Sequence, residues 1–174
     1  MISSPTPVPD AEALCERLLA QLRPAVTPQT VMIGVHTGGA WIAEKLHAAL
    51  GLTTSLGFLD ISFYRDDFGR VGLNPQVKKS TIPFDIEDAT IVLVDDVLYT
   101  GRTVRAAMNE LFDYGRPGRI ELAVLVDRGG RELPVAARFV GATVELRDNQ
   151  SLNLARDAAG VLGFSLVEKQ ASGA

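Results

Sequence analysis

Two adjacent carboxylates, Asp95 and Asp96, close the apolar run Ile91-Val92-Leu93-Val94; after Val97 and Leu98 come Tyr99-Thr100-Gly101-Arg102-Thr103. Ionised carboxylates only accept hydrogen bonds, so a neighbouring pair suits the two cis hydroxyls of a ribose, each of which can donate one. The turn behind them has the opposite character. Val104, Ala107, Met108 and Leu111 recur at the spacing of one helix face, and the first turn of a helix presents unsatisfied N–H groups and a partial positive charge. Thr100 and Thr103 add hydroxyl donors, and Gly101 removes the Cβ that would block close approach. Acids beside an anion cradle make a ribose 5-phosphate site. Taken alone, the turn also fits a solvated Asp-Asp pair with Thr100 as a helix N-cap. The full order of strand, acid pair, two apolar residues and Tyr-Thr-Gly-Arg-Thr is what makes the segment specific.

The elements around this segment predict an α/β fold. Asp10 caps a first helix that ends near Arg23-Pro24, because proline disfavours helical geometry in the residue before it. Residues 30–35 read as a strand, 40–50 as a helix stopped by Gly51, and 53–64 as a β-rich stretch. Residues 90–94 form a short β-branched strand of the kind buried on both faces of a parallel sheet. Its helix ends at Gly115 with Pro117 beyond, 120–126 is a third apolar strand, and 143–168 adds antiparallel edge strands. Such alternation builds a mainly parallel sheet with helices on both faces. Three strands then end in polar residues: His36-Thr37-Gly38-Gly39, Asp95-Asp96 and Asp127-Arg128-Gly129. Parallel packing gathers those ends into one cleft, the usual place for ligands in open α/β sheets.

The run Val-Asp-Asp-Val-Leu-Tyr-Thr-Gly-Arg-Thr at 94–103 resembles the phosphoribosyl-pyrophosphate (PRPP) motif of the type I phosphoribosyltransferases. Residues 60–67, Asp-Ile-Ser-Phe-Tyr-Arg-Asp-Asp, and 122–134, Leu-Ala-Val-Leu-Val-Asp-Arg-Gly-Gly-Arg-Glu-Leu-Pro, narrow the resemblance to the pyrimidine operon regulator and uracil phosphoribosyltransferase family. It spans residues 30–141. The resemblance implies the type I phosphoribosyltransferase fold with a small antiparallel hood, and transfer of ribose 5-phosphate from PRPP to uracil to give UMP and pyrophosphate. It implies Mg2+ held by PRPP and water, with no direct protein ligand. PRPP contacts then fall on Thr37, Gly38 and Gly39 at the pyrophosphate, and on Asp95, Asp96, Val97, Leu98, Tyr99, Thr100, Gly101, Arg102 and Thr103. Asp127 and Arg128 border the base.

Residues 62–80 hold Arg65, Arg70, Lys78 and Lys79 against Asp66 and Asp67, with Gly69, Gly72 and Pro75 between them. A glycine-bearing stretch of this length in a compact domain is either a solvated hairpin excursion or a functional loop. The functional reading is a lid that brings positive charge to the leaving pyrophosphate, with Arg65 as its first contact, beside Asp95 and Asp96, in catalysis.

Several residues depart from the resembled pattern. Gly38 stands where the family usually carries arginine, which leaves backbone amides and Thr37 to hold pyrophosphate. Tyr99 replaces the acid common in purine-using relatives; a phenol is a poor base at neutral pH, so the exchange favours a pyrimidine. Orotate and hypoxanthine remain alternative bases. Gly130 replaces a frequent histidine, and Ala136 and Ala142 stand where regulatory relatives tend to be basic. The second activity of the family is binding of pyrimidine operon messenger RNA in response to UMP or UTP. RNA affinity rests on neutralising phosphates, whereas this chain has 17 basic against 21 acidic residues and a pI near 5.2. Arg131, Arg138 and Arg147 are its candidates for a local basic face.

At 174 residues and 47% hydrophobic composition, the chain can bury one sizeable core without disulfides or metals. Residues 1–10 read as a loose, proline-bearing arm and 11–174 as a single domain; the start lacks the basic and apolar regions of a signal peptide. No apolar run approaches the ~20 residues of a membrane helix. Cys15, the sole cysteine, lies in the apolar pattern of the first helix; it reads as core, and a reducing cytoplasm is the expected compartment. His36 reads as a structural group at a strand end, His47 as surface and Trp41 as packing. Two histidines and one cysteine argue against a zinc site. The expected assembly is a homodimer or higher homo-oligomer.

Overall fold

The computed structural model describes residues 7–62 and 79–168. Asp10 caps α1 (Ala11–Leu22) by accepting from the Glu12 and Ala13 amides at 3.0 and 3.2 Å. There follow β1 (Val31–Val35), α2 (Gly38–Leu50), β2 (Leu56–Leu59), β3 (Thr90–Leu98), α3 (Arg102–Tyr114), β4 (Arg119–Asp127), β5 (Phe139–Thr143), β6 (Gln150–Arg156) and β7 (Leu162–Glu168). The first five strands form one parallel sheet in the order β2-β1-β3-β4-β5. The order reverses between β1 and β3, so a crevice opens at their carboxyl ends.

Both faces of the sheet are covered. One core joins Leu14, Leu18 and Leu22 of α1 and Ile42 and Leu46 of α2 to Met32, Val92 and Leu125. The other joins Val104, Ala107 and Leu111 of α3 to Ile33, Leu93 and Val124. This alternation explains the continuous apolar runs 31–35 in β1, 91–94 in β3 and 122–126 in β4. Cys15 belongs to the first core at 5% exposure, and burial pushes its thiol up to about 11; it is a packing group. Trp41 packs against the same core. His47 is half-buried rather than on the surface, with Nε2 2.6 Å from Thr54 O.

Four expectations change in detail. β3 continues through the acid pair to Leu98, because Val97 and Leu98 keep their register with Val126 and Asp127 of β4. α2 starts at Gly38, so Gly38 and Gly39 are helix residues rather than a loop. The β-rich stretch 53–64 yields only β2 among the described residues. Residues 143–168 do not extend the main sheet; β6 and β7 pair with each other as a separate antiparallel hairpin, the hood. The edge strand is β5, parallel to β4. Gln21 covers part of that edge: Nε2 donates to Val140 O at 2.9 Å, and Val140 N donates back to Oε1 at 3.3 Å. Among the described residues no helix is long and apolar enough to cross a membrane.

Candidate active site

β3 delivers its two carboxylates in different settings. Asp95 is 2% exposed, and its Oδ1 accepts from the Asp96 amide at 2.9 Å. Asp96 is half-buried, and its Oδ1 accepts from the Val97 amide at 2.9 Å. The other oxygen of Asp96 faces α2. A Cβ on Gly38 would collide with Asp96 Oδ2 and lie 2.8 Å from Cγ, and one on Gly39 would lie 2.9 Å from Asp95 Cα. The glycines therefore let the first turn of α2 lie directly against the acid pair. The preceding His36–Thr37 peptide is cis, and the His36 ring stacks on Phe58 with centroids 5.4 Å apart.

Behind the acids the chain turns into α3. Gly101 is the N-cap, at φ 92°, and makes no side-chain cap bond. That left-handed conformation favours glycine, and a Cβ there would also strike Val135. Thr100 is thus one residue ahead of the cap, where its Oγ1 accepts from the Arg102 amide at 3.2 Å. Thr100 O accepts from the Glu132 and Leu133 amides, both at 3.0 Å. The Arg102 guanidinium meets Glu132 through Nε at 2.8 Å and Nη2 at 2.7 Å.

The adjoining wall comes from the end of β4. Asp127 pairs with Arg131 and accepts from the Gly129 amide at 2.9 Å. Burial pushes the Asp127 carboxyl up, but the hydrogen bonds from Arg131 and Gly129 outweigh it, and the group titrates below its ordinary value. Arg131 Nη1 donates onward to Tyr99 O at 2.6 Å. The Arg128 guanidinium lies over the Tyr99 ring, 3.8 Å from its centroid, and Nη1 donates to Gln150 O in the hood at 3.0 Å. Arg128 Nε is buried and has no hydrogen-bond partner among the described residues. Gly130, at φ 70°, lies against the same ring, where a side chain would collide with Tyr99.

Between these walls is a cavity of about 900 Å³, lined by residues 95–104, Arg128, Glu132, Ser151, Leu152, Asn153 and Val167. A family model, the phosphoribosyl transferase domain, matches residues 6–153. "Bifunctional protein PyrR" of Nitrosococcus oceani is 52% identical over 146 residues, covering 83% of this chain and 80% of that one. The protein of the same name from Ralstonia nicotianae is 50% identical over 87% of this chain and 88% of its own. The chain belongs to the PyrR branch of the phosphoribosyl transferase domain family. The fold agrees. A hypoxanthine-guanine phosphoribosyltransferase of Bacillus anthracis superposes with a TM-score of 0.66 at 19% identity, over 94% of this chain and 98% of that one. A hypoxanthine phosphoribosyltransferase of Staphylococcus aureus does so at 0.63 and 22%, over 94% and 96%.

In this phosphoribosyltransferase the cavity gathers most of the residues that the sequence singles out. Asp95, Asp96, Val97, Leu98, Tyr99, Thr100, Gly101, Arg102, Thr103 and Arg128 all line it. Thr37, Gly38, Gly39 and Asp127 are not among its walls; Gly38 reaches it through Asp96, and Asp127 is committed to Arg131. Arg65 and Lys78 lie outside the described residues. Glu132 and the hood residues Ser151, Asn153 and Val167 were not legible as site residues. Glu132 sits inside the quoted 122–134 segment, but nothing in the spacing of the hood residues ties them to a site so far upstream in the chain. Of the arginines considered for RNA, Arg131 is held by Asp127, and Arg138 by Glu121 while lying 5.1 Å over Phe139.

Proposed function

We propose that this phosphoribosyltransferase acts on uracil. The bond from ribose C1 to pyrophosphate breaks, a bond from C1 to the base nitrogen forms, the nitrogen's proton goes to solvent, and the products are UMP and pyrophosphate. What carries the reading is that the Asp95–Asp96 pair, the 100–103 helix start and Arg128 line one cavity. The acids accept from the ribose hydroxyls and favour the positive charge that grows on C1 as the leaving group departs. The amides and hydroxyls of Thr100, Gly101, Arg102 and Thr103 take the 5-phosphate, and Thr37, Gly38 and Gly39 take the pyrophosphate. Arg128, which lines the cavity, supplies a guanidinium donor for a carbonyl oxygen of the base, and Asp127 serves by fixing Arg131. Arg65 is the proposed lid contact.

The donor set fits Mg2+, since Asp95 and Asp96 place hard carboxylate oxygens beside the proposed sugar hydroxyls. PRPP oxygens and water would hold the ion, Asp96 meeting its water shell, and it would neutralise charge on the leaving pyrophosphate. Uracil is preferred because its acidic ring nitrogen needs no strong base, and position 99 offers none.

The test is a PRPP and Mg2+ assay across uracil, orotate, hypoxanthine and guanine, with pyrophosphate release as the readout. Turnover of uracil above the others is expected; turnover of a different base with none of uracil rejects the substrate.

The relatives are named bifunctional, and UMP-responsive binding of pyrimidine operon RNA is the second reading. It ranks lower because Arg131 and Arg138 are committed to acids of this chain. Filter binding of leader RNA with and without UMP decides it; tight, salt-sensitive, UMP-dependent retention would reverse the ranking. Residues 11–174 are read as one catalytic domain, working in the cytoplasm as a homodimer or larger homo-oligomer.

A further inference from the structure

Arg102 opens α3 at the phosphate cradle, and two of its anion-binding elements are engaged within the chain. Its amide donates to Thr100 Oγ1 at 3.2 Å. Its Nε and Nη2 both reach one oxygen, Glu132 Oε2. The main chain of Glu132 is held beside the cradle, because its own amide and that of Leu133 donate to Thr100 O. A carboxylate thus lines a cavity proposed to receive phosphate.

Exposure separates a brace from a competitor. The two side chains are 47% and 53% exposed, and an exposed ion pair is worth at most about fivefold in an equilibrium. That is too little to lock the loop. A phosphate dianion offers three acceptor oxygens, and charge-assisted hydrogen bonds are about twice as strong as neutral ones. The same guanidinium can exchange from carboxylate to phosphate with little loss.

We infer that Glu132 competes with the sugar phosphate for Arg102 and so sets the affinity of the cradle. The inference rests on the reading that residues 100–103 bind the 5-phosphate. Its consequence is kinetic: as the phosphorylated product leaves, Glu132 takes the guanidinium back, and Arg102 does not lose an anion without gaining one. Affinity differences within one site are mostly differences in dissociation rate, so Glu132 speeds release.

Calorimetric titration with ribose 5-phosphate at low salt tests this in wild type, Glu132→Gln, Arg102→Gln and the double variant. Glu132→Gln is expected to tighten binding about two- to fivefold, Arg102→Gln to weaken it, and the double variant to match Arg102→Gln. Weaker binding by Glu132→Gln would show a brace and overturn the inference. The same tightening with and without Arg102 would show a through-space charge effect and also overturn it, as would no change at all. Should wild type fail to bind ribose 5-phosphate while folded, the phosphate reading itself falls, and the inference with it. If Glu132→Gln does not fold, Glu132→Asp, which retracts the carboxylate, is read by the same outcomes.

Discussion

Glu12 of α1 and Leu162 of β7 are 150 residues apart, yet the Leu162 amide donates to Glu12 Oε1 at 2.7 Å. The same carboxylate accepts from Lys45 of α2 at 2.7 Å, and Arg156 at the end of β6 reaches Glu44 of α2 at 2.6 Å. The turn end of the hood is therefore pinned to the helix whose first turn lies against Asp96. The Leu162 amide, and after it Lys45, hold the Glu12 carboxyl below its usual 4.5. A lowered folded-state pKa means that the unfolded chain binds the proton first, so this contribution is present above about pH 4.5 and is lost as pH falls through the folded value. Glu12 is one-third exposed, which limits the effect to about 0.5–1.5 kcal/mol. Denaturant unfolding should show Glu12→Gln less stable than wild type by that amount at pH 7, with the gap narrowing toward pH 3. An equal gap at both pH values would place the effect in packing rather than in the charge.

The acid pair should be chemical rather than structural. In both residues the oxygen that holds the backbone is Oδ1, accepting from Asp96 N or Val97 N, and asparagine keeps an oxygen there. Asp95→Asn and Asp96→Asn are each expected to lower kcat by about 100-fold or more, the scale on which removing a transition-state electrostatic contact acts; the double variant should show no turnover. Circular dichroism and melting should stay close to wild type. Activity retained by the double variant would remove the pair from the mechanism.

How far the sequence reached depends on how local each signal is. The parallel strands were legible because β1, β3 and β4 are buried on both faces and leave short continuous apolar runs. The acid pair and the Thr100–Thr103 turn were legible because all their parts lie within ten residues. β5 was not: five residues, two of them half-buried, carry too little periodicity to separate a strand from a loop. The hood's place over the site also stayed hidden, because it is set by Glu12, Glu44 and Arg128, contacts that no spacing in β6 or β7 reveals. Asp127 illustrates a different gap: the resemblance sets it at the border of the base, and no spacing in the segment reveals that its carboxylate pairs with Arg131.

The Tyr99 ring is a platform for Arg128 at 3.8 Å while the residue stays 41% exposed. Tyr99→Phe keeps the ring and the stacking, which stabilises a guanidinium by about 0.5–1 kcal/mol at an exposed site. Its kcat on uracil should remain within about threefold of wild type, with an unchanged pH profile. Tyr99→Ala should raise KM for the base and leave KM for PRPP nearly constant, since Arg128 then loses its platform. A large fall in kcat for Tyr99→Phe would mean that the phenol itself takes part.

Gly38 offers a way to separate activity from stability by sign. It is the first residue of α2, where alanine is preferred over glycine by up to about 1 kcal/mol of helix propensity. Yet its Cβ would meet the carboxylate of Asp96, with Cγ at 2.8 Å. The neighbour is the mobile end of a half-buried side chain, so it can rotate away without breaking the fold, at the expense of its bond to Val97 N. Gly38→Ala should therefore melt at or above the wild-type temperature while kcat/KM for PRPP falls about tenfold or more. Misplacing a reacting group by about an ångström costs on the order of 100-fold, which makes the loss easy to measure. A variant that loses stability and activity together would show that glycine is needed for packing, and that the close approach of α2 to Asp96 is not what tunes the acid.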